Sequence, residues 1–142
     1  MLFESGVDLR EALRWNHRHS LAHNNLANLL GDTGRVPEAI QHYEECLRLN
    51  PRHLEARFNY GITLADAGKP VEAIAQFEAA VNLRPGFTRA RLQLVNLYIG
   101  LGKAGEARAH SEALLRYDPN SPEGHFNAGS LAAASGDWPA AI

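Results

Sequence analysis

Residues 25–51 decide the fold, and they read NLANLLGDTGRVPEAIQHYEECLRLNP. The apolar residues recur at helical spacing on both sides of Gly34: Leu26, Leu29 and Leu30, then Ile40, Tyr43 and Leu47. Gly34 can adopt the left-handed backbone conformation that ends one helix and turns the chain toward the next. Pro51 lacks an amide hydrogen and cannot continue the second helix. The stretch therefore predicts two antiparallel helices joined by a tight turn.

The same turn and breaker residues return every 34 residues. Four columns carry this period: Gly34, Gly68, Gly102 and Gly136; Pro51, Pro85 and Pro119; Ala39, Ala73, Ala107 and Ala141; and Ala22, Ala56, Ala90 and Gly124. A fixed period of this length is typical of solenoids, in which each hairpin buries its apolar face only against neighbouring hairpins. The predicted fold class is therefore all-α, an array of antiparallel helix hairpins with a 34-residue period.

The columns divide the chain into one array without a long linker. Its predicted segments are a partial leading repeat with only its second helix (1–19), three full repeats (20–53, 54–87 and 88–121) and a truncated fourth (122–142). The predicted helices lie near 2–15, 21–33, 37–49, 55–67, 71–83, 89–101 and 105–117. Ser20 and Ser121 are predicted N-caps, and Pro122 suits the first position of a helix that runs to about Ser135. A last helix is predicted to begin at Asp137.

Composition narrows the function classes. The 142 residues carry a formal charge of −2 with histidine neutral, so no strong positive field exists for nucleic acid. No run of 18 apolar residues and no secretion signal is present, so we expect no membrane partner and a cytoplasmic protein. The single cysteine, Cys46, excludes an internal disulfide and a multi-cysteine zinc site.

From Leu9 to Ile142 the sequence resembles the tetratricopeptide repeat family, with residues 25–51 as the best instance. The aromatic residue usual at the fourth position of each repeat is replaced by His23, Arg57, Arg91 and His125. The resemblance implies a right-handed superhelical solenoid whose first helices line a concave groove for an extended or helical segment of a partner protein. By position, the implied groove residues are Asn24, Asn25, Asn28, Phe58, Asn59, Ile62, Arg89, Leu92, Gln93, Asn96, Phe126 and Asn127. Leu21, Glu55, Glu123 and Ser130 complete this stripe.

One polar column within that groove stands out: Asn25, Asn59, Gln93 and Asn127. A carboxamide can pair with both the N–H and the C=O of a passing backbone without requiring a particular peptide sequence. The column resembles the asparagine ladder in the repeat domain of O-linked N-acetylglucosamine transferases, which implies binding of an extended peptide. The alternative is structural, since the same amides could bridge or cap neighbouring helices.

A second groove chemistry is the carboxylate clamp with which some family members hold the C-terminus of heat-shock chaperones. By resemblance, its two asparagines map onto Asn28 and Asn59, and one of its basic residues maps onto Arg89. Asn24 and Gln93 occupy the remaining basic positions. A single cation is a weak basis for holding a terminal carboxylate, which calls for several charge-assisted hydrogen bonds.

Candidates for chemistry are few. His17, His19 and His23 lie close in sequence, but with Ser20 as an N-cap His19 falls in a turn, so we predict no metal site. Cys46 is expected to be a buried packing residue, although His42 lies one helical turn before it. Trp15 is expected in the core. No catalytic constellation emerges, so we predict neither an enzyme nor a cofactor.

The favoured function is a protein-interaction scaffold that binds an extended peptide of a partner. The alternative is a substrate-targeting fragment of a larger enzyme, such as a glycosyltransferase. The fourth repeat lacks most of its second helix, and bare apolar surface is costly. We therefore expect either a fragment of a longer array or a homo-oligomer formed through the uncapped C-terminal repeat.

Overall fold

The structure, a computed structural model, describes residues 9–135, and for side chains residues 9–133. Within that range it has seven α-helices and no strand, which confirms the predicted all-α class. The helices are α1 (Leu9–Asp32), α2 (Val36–Leu49), α3 (Leu54–Asp66), α4 (Pro70–Leu83), α5 (Thr88–Gly100), α6 (Ala104–Tyr117) and α7 (Pro122–Ser135). The helix predicted from Asp137, together with Gly136 and Ala141, lies outside the described residues.

The chain divides into two compact units. The first extends to Lys69 and contains α1, α2 and α3, in which each helix contacts the other two. The second begins at Pro70 and contains α4 to α7, in which α5 packs against α4, α6 and α7, and α6 also packs against α7. Helices that pack on their sequence neighbours are the arrangement that the 34-residue period predicts.

The glycine column makes the turn within each hairpin. The φ angles of Gly34, Gly68 and Gly102 are 83°, 76° and 73°, in the left-handed region that favours glycine. After Gly34, the amide of Arg35 donates to the carbonyl of Leu30 at 2.8 Å, and equivalent bonds follow the other two glycines. This hydrogen bond closes a turn of six residues, which is the Schellman motif at the end of a helix. It satisfies a carbonyl group at the helix C-terminus.

The turn between repeats is closed by the side chains that replace the usual aromatic. Arg57 donates from Nη2 to the carbonyl of Pro51 at 3.2 Å, and Arg91 donates from Nε to that of Pro85 at 2.9 Å. His125 Nε2 lies 2.7 Å from the carbonyl of Pro119 and donates to it. The residues that replace the usual aromatic thus add a hydrogen bond to each of the three proline turns.

The predicted break between residues 15 and 21 is wrong, because α1 continues from Leu9 to Asp32. One period before Pro51 stands His17, which retains its amide hydrogen and lets the helix continue. Ser20 is therefore not an N-cap. Its side chain is fully buried, and its hydroxyl donates to the carbonyl of Cys46 at 3.1 Å. His19 accordingly lies in the helix rather than in a turn.

Small residues let the helices approach closely. The alanines of both columns are completely buried at Ala39, Ala56, Ala73, Ala90 and Ala107. Ala22, on α1, is exposed. Trp15 is 54% exposed, so its predicted place in the core is also wrong. It stacks instead on His19, with 3.9 Å between the ring centroids.

Candidate functional site

A cleft of about 340 Å³ opens between α1 and α3 in the first unit. Four predicted groove residues line it together: Asn28, Phe58, Asn59 and Ile62. Asp32, Tyr43 and Thr63 complete the lining, with Tyr43 reaching in from α2. Sequence reasoning placed Tyr43 only in the core, because its ring packs there. Its hydroxyl, absent from Phe77 one period later, was the available signal that this side chain also has a polar function.

Hydrogen bonds set the orientation of the amides in this cleft. The Tyr43 hydroxyl donates to Oδ1 of Asn28, so the N–H donors of that carboxamide are presented on its other side. A tyrosine hydroxyl is protonated at neutral pH, and burial raises the pKa of Tyr43 further above its ordinary value of 10. Asn59 donates from Nδ2 to Oδ1 of Asn24 at 3.4 Å, and Asn24 itself is only 4% exposed. Asn24 thus positions Asn59 more than it offers a surface for contact.

A second cleft, of about 530 Å³, lies between α5 and α7 in the second unit. Five predicted groove residues come together here: Leu92, Asn96, Glu123, Phe126 and Asn127. Pro122 completes the lining. Phe126 is 74% exposed, whereas Asn127 beside it is 7% exposed. An aromatic ring left in water next to a nearly enclosed amide is a surface suited to a ligand.

The start of α7 is held in place by two local features. Ser121 Oγ accepts the backbone amide of Gly124 at 3.0 Å, which confirms the predicted N-cap. Gly124 lies so close to α6 that a Cβ there would be 2.6 Å from Cδ2 of Leu114 and 2.9 Å from Cδ2 of Leu115. A larger residue here would force these leucine side chains to move, so glycine favours the close approach, and Phe126 lies half a turn further along the helix.

The two clefts are built from the same columns of the repeat. Two periods separate Asn28, Phe58 and Asn59 of the first cleft from Asn96, Phe126 and Asn127 of the second. Each cleft therefore combines two carboxamides with one phenylalanine. Sequence reasoning identified these residues singly but did not see that they recur as a set.

Seven predicted groove residues line neither cleft: Leu21, Asn24, Asn25, Glu55, Arg89, Gln93 and Ser130. Asn25 is exposed and Gln93 half-buried. The guanidinium of Arg89 lies 5.3 Å from the ring centroid of Phe87. The asparagine column is therefore not a uniform exposed row, since it passes from exposed Asn25 to buried Asn127. The bond from Asn59 to Asn24 shows that one member also bridges helices, as the structural alternative expects.

The side chains that the sequence offered as candidates for chemistry, Cys46 and His42, make packing contacts in the structure. Cys46 is fully buried as predicted, and burial raises the pKa of its thiol, which makes it a poor nucleophile. His42 lies with its Nδ1 2.9 Å from Nδ1 of His23, so it is paired with another histidine. Across residues 9–135 no three His, Cys, Asp or Glu side chains are grouped as metal ligands. None of the helices in that range combines the length and apolar character needed to cross a bilayer.

A hydrogen-bonded chain links three helices of the second unit. The Tyr98 hydroxyl donates to Oε2 of Glu78 at 2.8 Å, and the other carboxylate oxygen lies 3.1 Å from Nε2 of His110. Arg91 donates from Nη1 to Nδ1 of His110 at 3.1 Å. Burial and the adjacent Glu78 carboxylate raise the pKa of Tyr98 to about 12. This chain ties α4, α5 and α6 together with satisfied polar groups.

Two family models, both described as tetratricopeptide repeat, match residues 24–86 and 64–125. No curated protein matches the chain. Among solved structures, the first TPR of Spaghetti (RPAP3) bound to the HSP90 peptide SRMEEVD is 22% identical, with a TM-score of 0.76. That match covers 84% of this chain and 94% of the other.

Two further structures have the same fold. The second TPR domain of human RPAP3, in complex with the HSP70 peptide SGPTIEEVD, is 18% identical with a TM-score of 0.74 and covers 82% of this chain and 97% of its own. The MamA protein is 17% identical with a TM-score of 0.80, over 85% of this chain and 66% of its own. At these identities the similarities establish the fold alone.

Proposed function

Since this chain belongs to the tetratricopeptide repeat family, we propose that it is a protein-interaction scaffold that binds an extended peptide segment of a partner. The observation that carries the proposal is the repetition of one cleft: Asn28, Phe58 and Asn59 recur two periods later as Asn96, Phe126 and Asn127. The same three residue types recur at the same repeat positions in both units, and in each unit they line a cleft that suits a segment of extended peptide.

Each cleft has the two components that recognition of an extended peptide needs. The carboxamides offer donors and acceptors to a peptide backbone, largely without regard to its sequence. The phenylalanine offers an apolar surface for a side chain, and aromatic residues commonly supply much of the affinity at protein interfaces. Each cleft therefore favours a peptide segment whose backbone lies along its amides and whose apolar side chain contacts its phenylalanine, Phe58 in the first cleft and Phe126 in the second.

Solved relatives support this class of ligand, because two of them hold chaperone peptides that end in EEVD. For this chain an internal segment is the better candidate. Of the positions that resemble a carboxylate clamp, only Arg89 is cationic, and Asn24 is buried and bonded to Asn59. A terminal carboxylate would find too few charge-assisted partners. We expect amidation of a peptide C-terminus to change its affinity less than threefold, on the scale of one exposed ion pair.

The test begins with selection of ligands from a displayed peptide library by the wild-type chain. The affinity of the best ligand is then measured by fluorescence anisotropy for a Phe58→Ala/Phe126→Ala variant. A Leu29→Ala/Val71→Ala variant is the matched control, because those side chains are 60% and 66% exposed and line neither cleft. Loss of contact-forming aromatics should weaken binding at least tenfold. Equal affinity for all three proteins of equal helicity would contradict the proposal.

Two finer predictions stay open. The asparagine column resembles that of O-linked N-acetylglucosamine transferases, and this likeness implies a substrate-targeting role beside a glycosyltransferase. The reading frame that encodes this chain tests that role. A catalytic domain in the same frame would support that role. Self-association through the fourth repeat, of which the structure describes residues 122–135, is tested directly by light scattering across concentration.

A further inference from the structure

The charged residues that line the two clefts all have the same sign. Asp32 is the only charged side chain in the first cleft, and Glu123 is the only one in the second. No described lining residue of either cleft is a lysine, arginine or histidine. Both carboxylates belong to exposed residues. A ligand therefore meets one negative charge beside each phenylalanine.

The carboxylates lie close enough to influence the clefts. The charge of Asp32 contributes to the raised pKa of Tyr43, after the larger effect of burial, so it acts on the hydroxyl that orients Asn28. Glu123 is three residues before Phe126 on α7, a spacing that places two side chains on the same helix face. Its Oε2 lies 3.5 Å from Oγ of Ser121, at the edge of the cleft.

The other predicted groove positions place no positive charge inside either cleft. In the first unit the predicted groove stripe carries Glu55 and no cation. In the second unit it carries Arg89, whose guanidinium lies over the ring of Phe87, outside the cleft. Negative potential next to an aromatic ring also favours a cation over the ring face. Electrostatic complementarity therefore selects against acidic ligands at both clefts.

We propose that the partner segment is basic: an extended peptide in which lysine or arginine stands beside the apolar side chain that contacts the phenylalanine of a cleft, Phe58 or Phe126. This rests on the proposed function, because it names the chemistry of the ligand for the same clefts. It also distinguishes this chain from relatives that hold peptides ending in EEVD, since the two glutamates and the aspartate of such a ligand would meet Asp32 and Glu123. The ammonium or guanidinium of the partner would pair with these carboxylates while its aliphatic stem packs on the ring.

The experiment uses three pools of fluorescent, C-terminally amidated dodecapeptides with equal apolar content. Their polar positions are restricted to Lys and Arg, to Gln and Asn, or to Asp and Glu. The basic pool should bind most tightly and the acidic pool least, with about two- to fivefold between steps for each exposed ion pair. The differences should shrink at high salt, because exposed pairs are screened.

An Asp32→Asn/Glu123→Gln variant should lose this preference and still bind the neutral pool. A Glu44→Gln/Glu72→Gln variant, changed at exposed carboxylates that line neither cleft, should retain it. An equal or greater affinity for the acidic pool would overturn the basic-ligand proposal and leave peptide binding intact. Absence of binding from every pool would instead contradict the proposed function itself.

Discussion

Tyr98 on α5 donates its hydroxyl hydrogen to Glu78 on α4 at 2.8 Å, and the buried phenol keeps its proton to about pH 12. The folded pKa lies above the ordinary value of 10, so this group stabilises the fold fully below pH 10. That contribution is lost as the pH rises from 10 to 12. We predict that a Tyr98→Phe variant has a flatter pH dependence of unfolding free energy in this window than the wild type.

Urea unfolding at pH 8, 10 and 11 measures the effect of this substitution. At pH 8 the variant should be less stable by about 1 kcal/mol, the usual net value of one hydrogen bond. The difference between the two proteins should then narrow at pH 11. A constant difference at all three values would show that Tyr98 does not change its ionisation on unfolding in this range.

Gly102 makes the turn of the third repeat with a φ of 73° and has open space around it. Gly102→Ala should therefore destabilise the fold through backbone strain alone, by about 1–2 kcal/mol. Gly105→Ala is the matched control three residues later. It lies in α6, also in open space, where alanine should stabilise the helix by about 0.5–1 kcal/mol. Thermal unfolding that shifts both variants in the same direction would refute the assignment of the turn.

Gly124 tests the close approach of α7 to α6. A Cβ at this position would lie 2.6 Å from a methyl group of Leu114, so Gly124→Ala should cost about 1–3 kcal/mol through overpacking. Gly129→Ala, on the same helix with nothing near its added methyl, should instead be neutral or stabilising. Equal stabilities of the two variants in urea would mean that α7 is not held where the second cleft requires it.

His17 stands where later repeats have proline, and α1 runs through it without interruption. We predict that His17→Pro lowers helical ellipticity at 222 nm, because proline removes a hydrogen bond and clashes with the preceding turn. His17→Ala, which keeps the amide hydrogen, should leave ellipticity equal or higher. If proline were tolerated without loss of ellipticity, the chain would already turn near His17, as the repeat pattern alone suggests.

Most helix boundaries were predictable because glycine and proline mark them at the same positions in each repeat. Glycine and proline at fixed phase placed α2 to α6 to within one residue at each end. The start of the array was mispredicted because Ser20 has the residue type of an N-cap, yet its hydroxyl bonds to Cys46 across the helix pair. No local pattern reveals that partner, since 26 residues separate the two in sequence.

The sequence predicted which repeat positions contribute to the candidate site, but not which side chains contact one another there. Position in the repeat identified Asn28, Phe58 and Asn59, but it could not show that Asn24 is enclosed or that Tyr43 orients Asn28. Those facts depend on how adjacent helices are rotated against each other. Asn24 and Asn25 are adjacent in sequence, yet Asn24 is buried and Asn25 is exposed.

The central claim is that peptide backbone lies along the carboxamides of the two clefts. The most direct measurement follows the side-chain amide signals of asparagine in ¹H–¹⁵N spectra during titration with the best selected peptide. The signals of Asn28, Asn59, Asn96 and Asn127 should shift, while that of Asn82, exposed on α4, should not. A peptide that binds and shifts Asn82 but none of those four would place the binding surface elsewhere and contradict the claim.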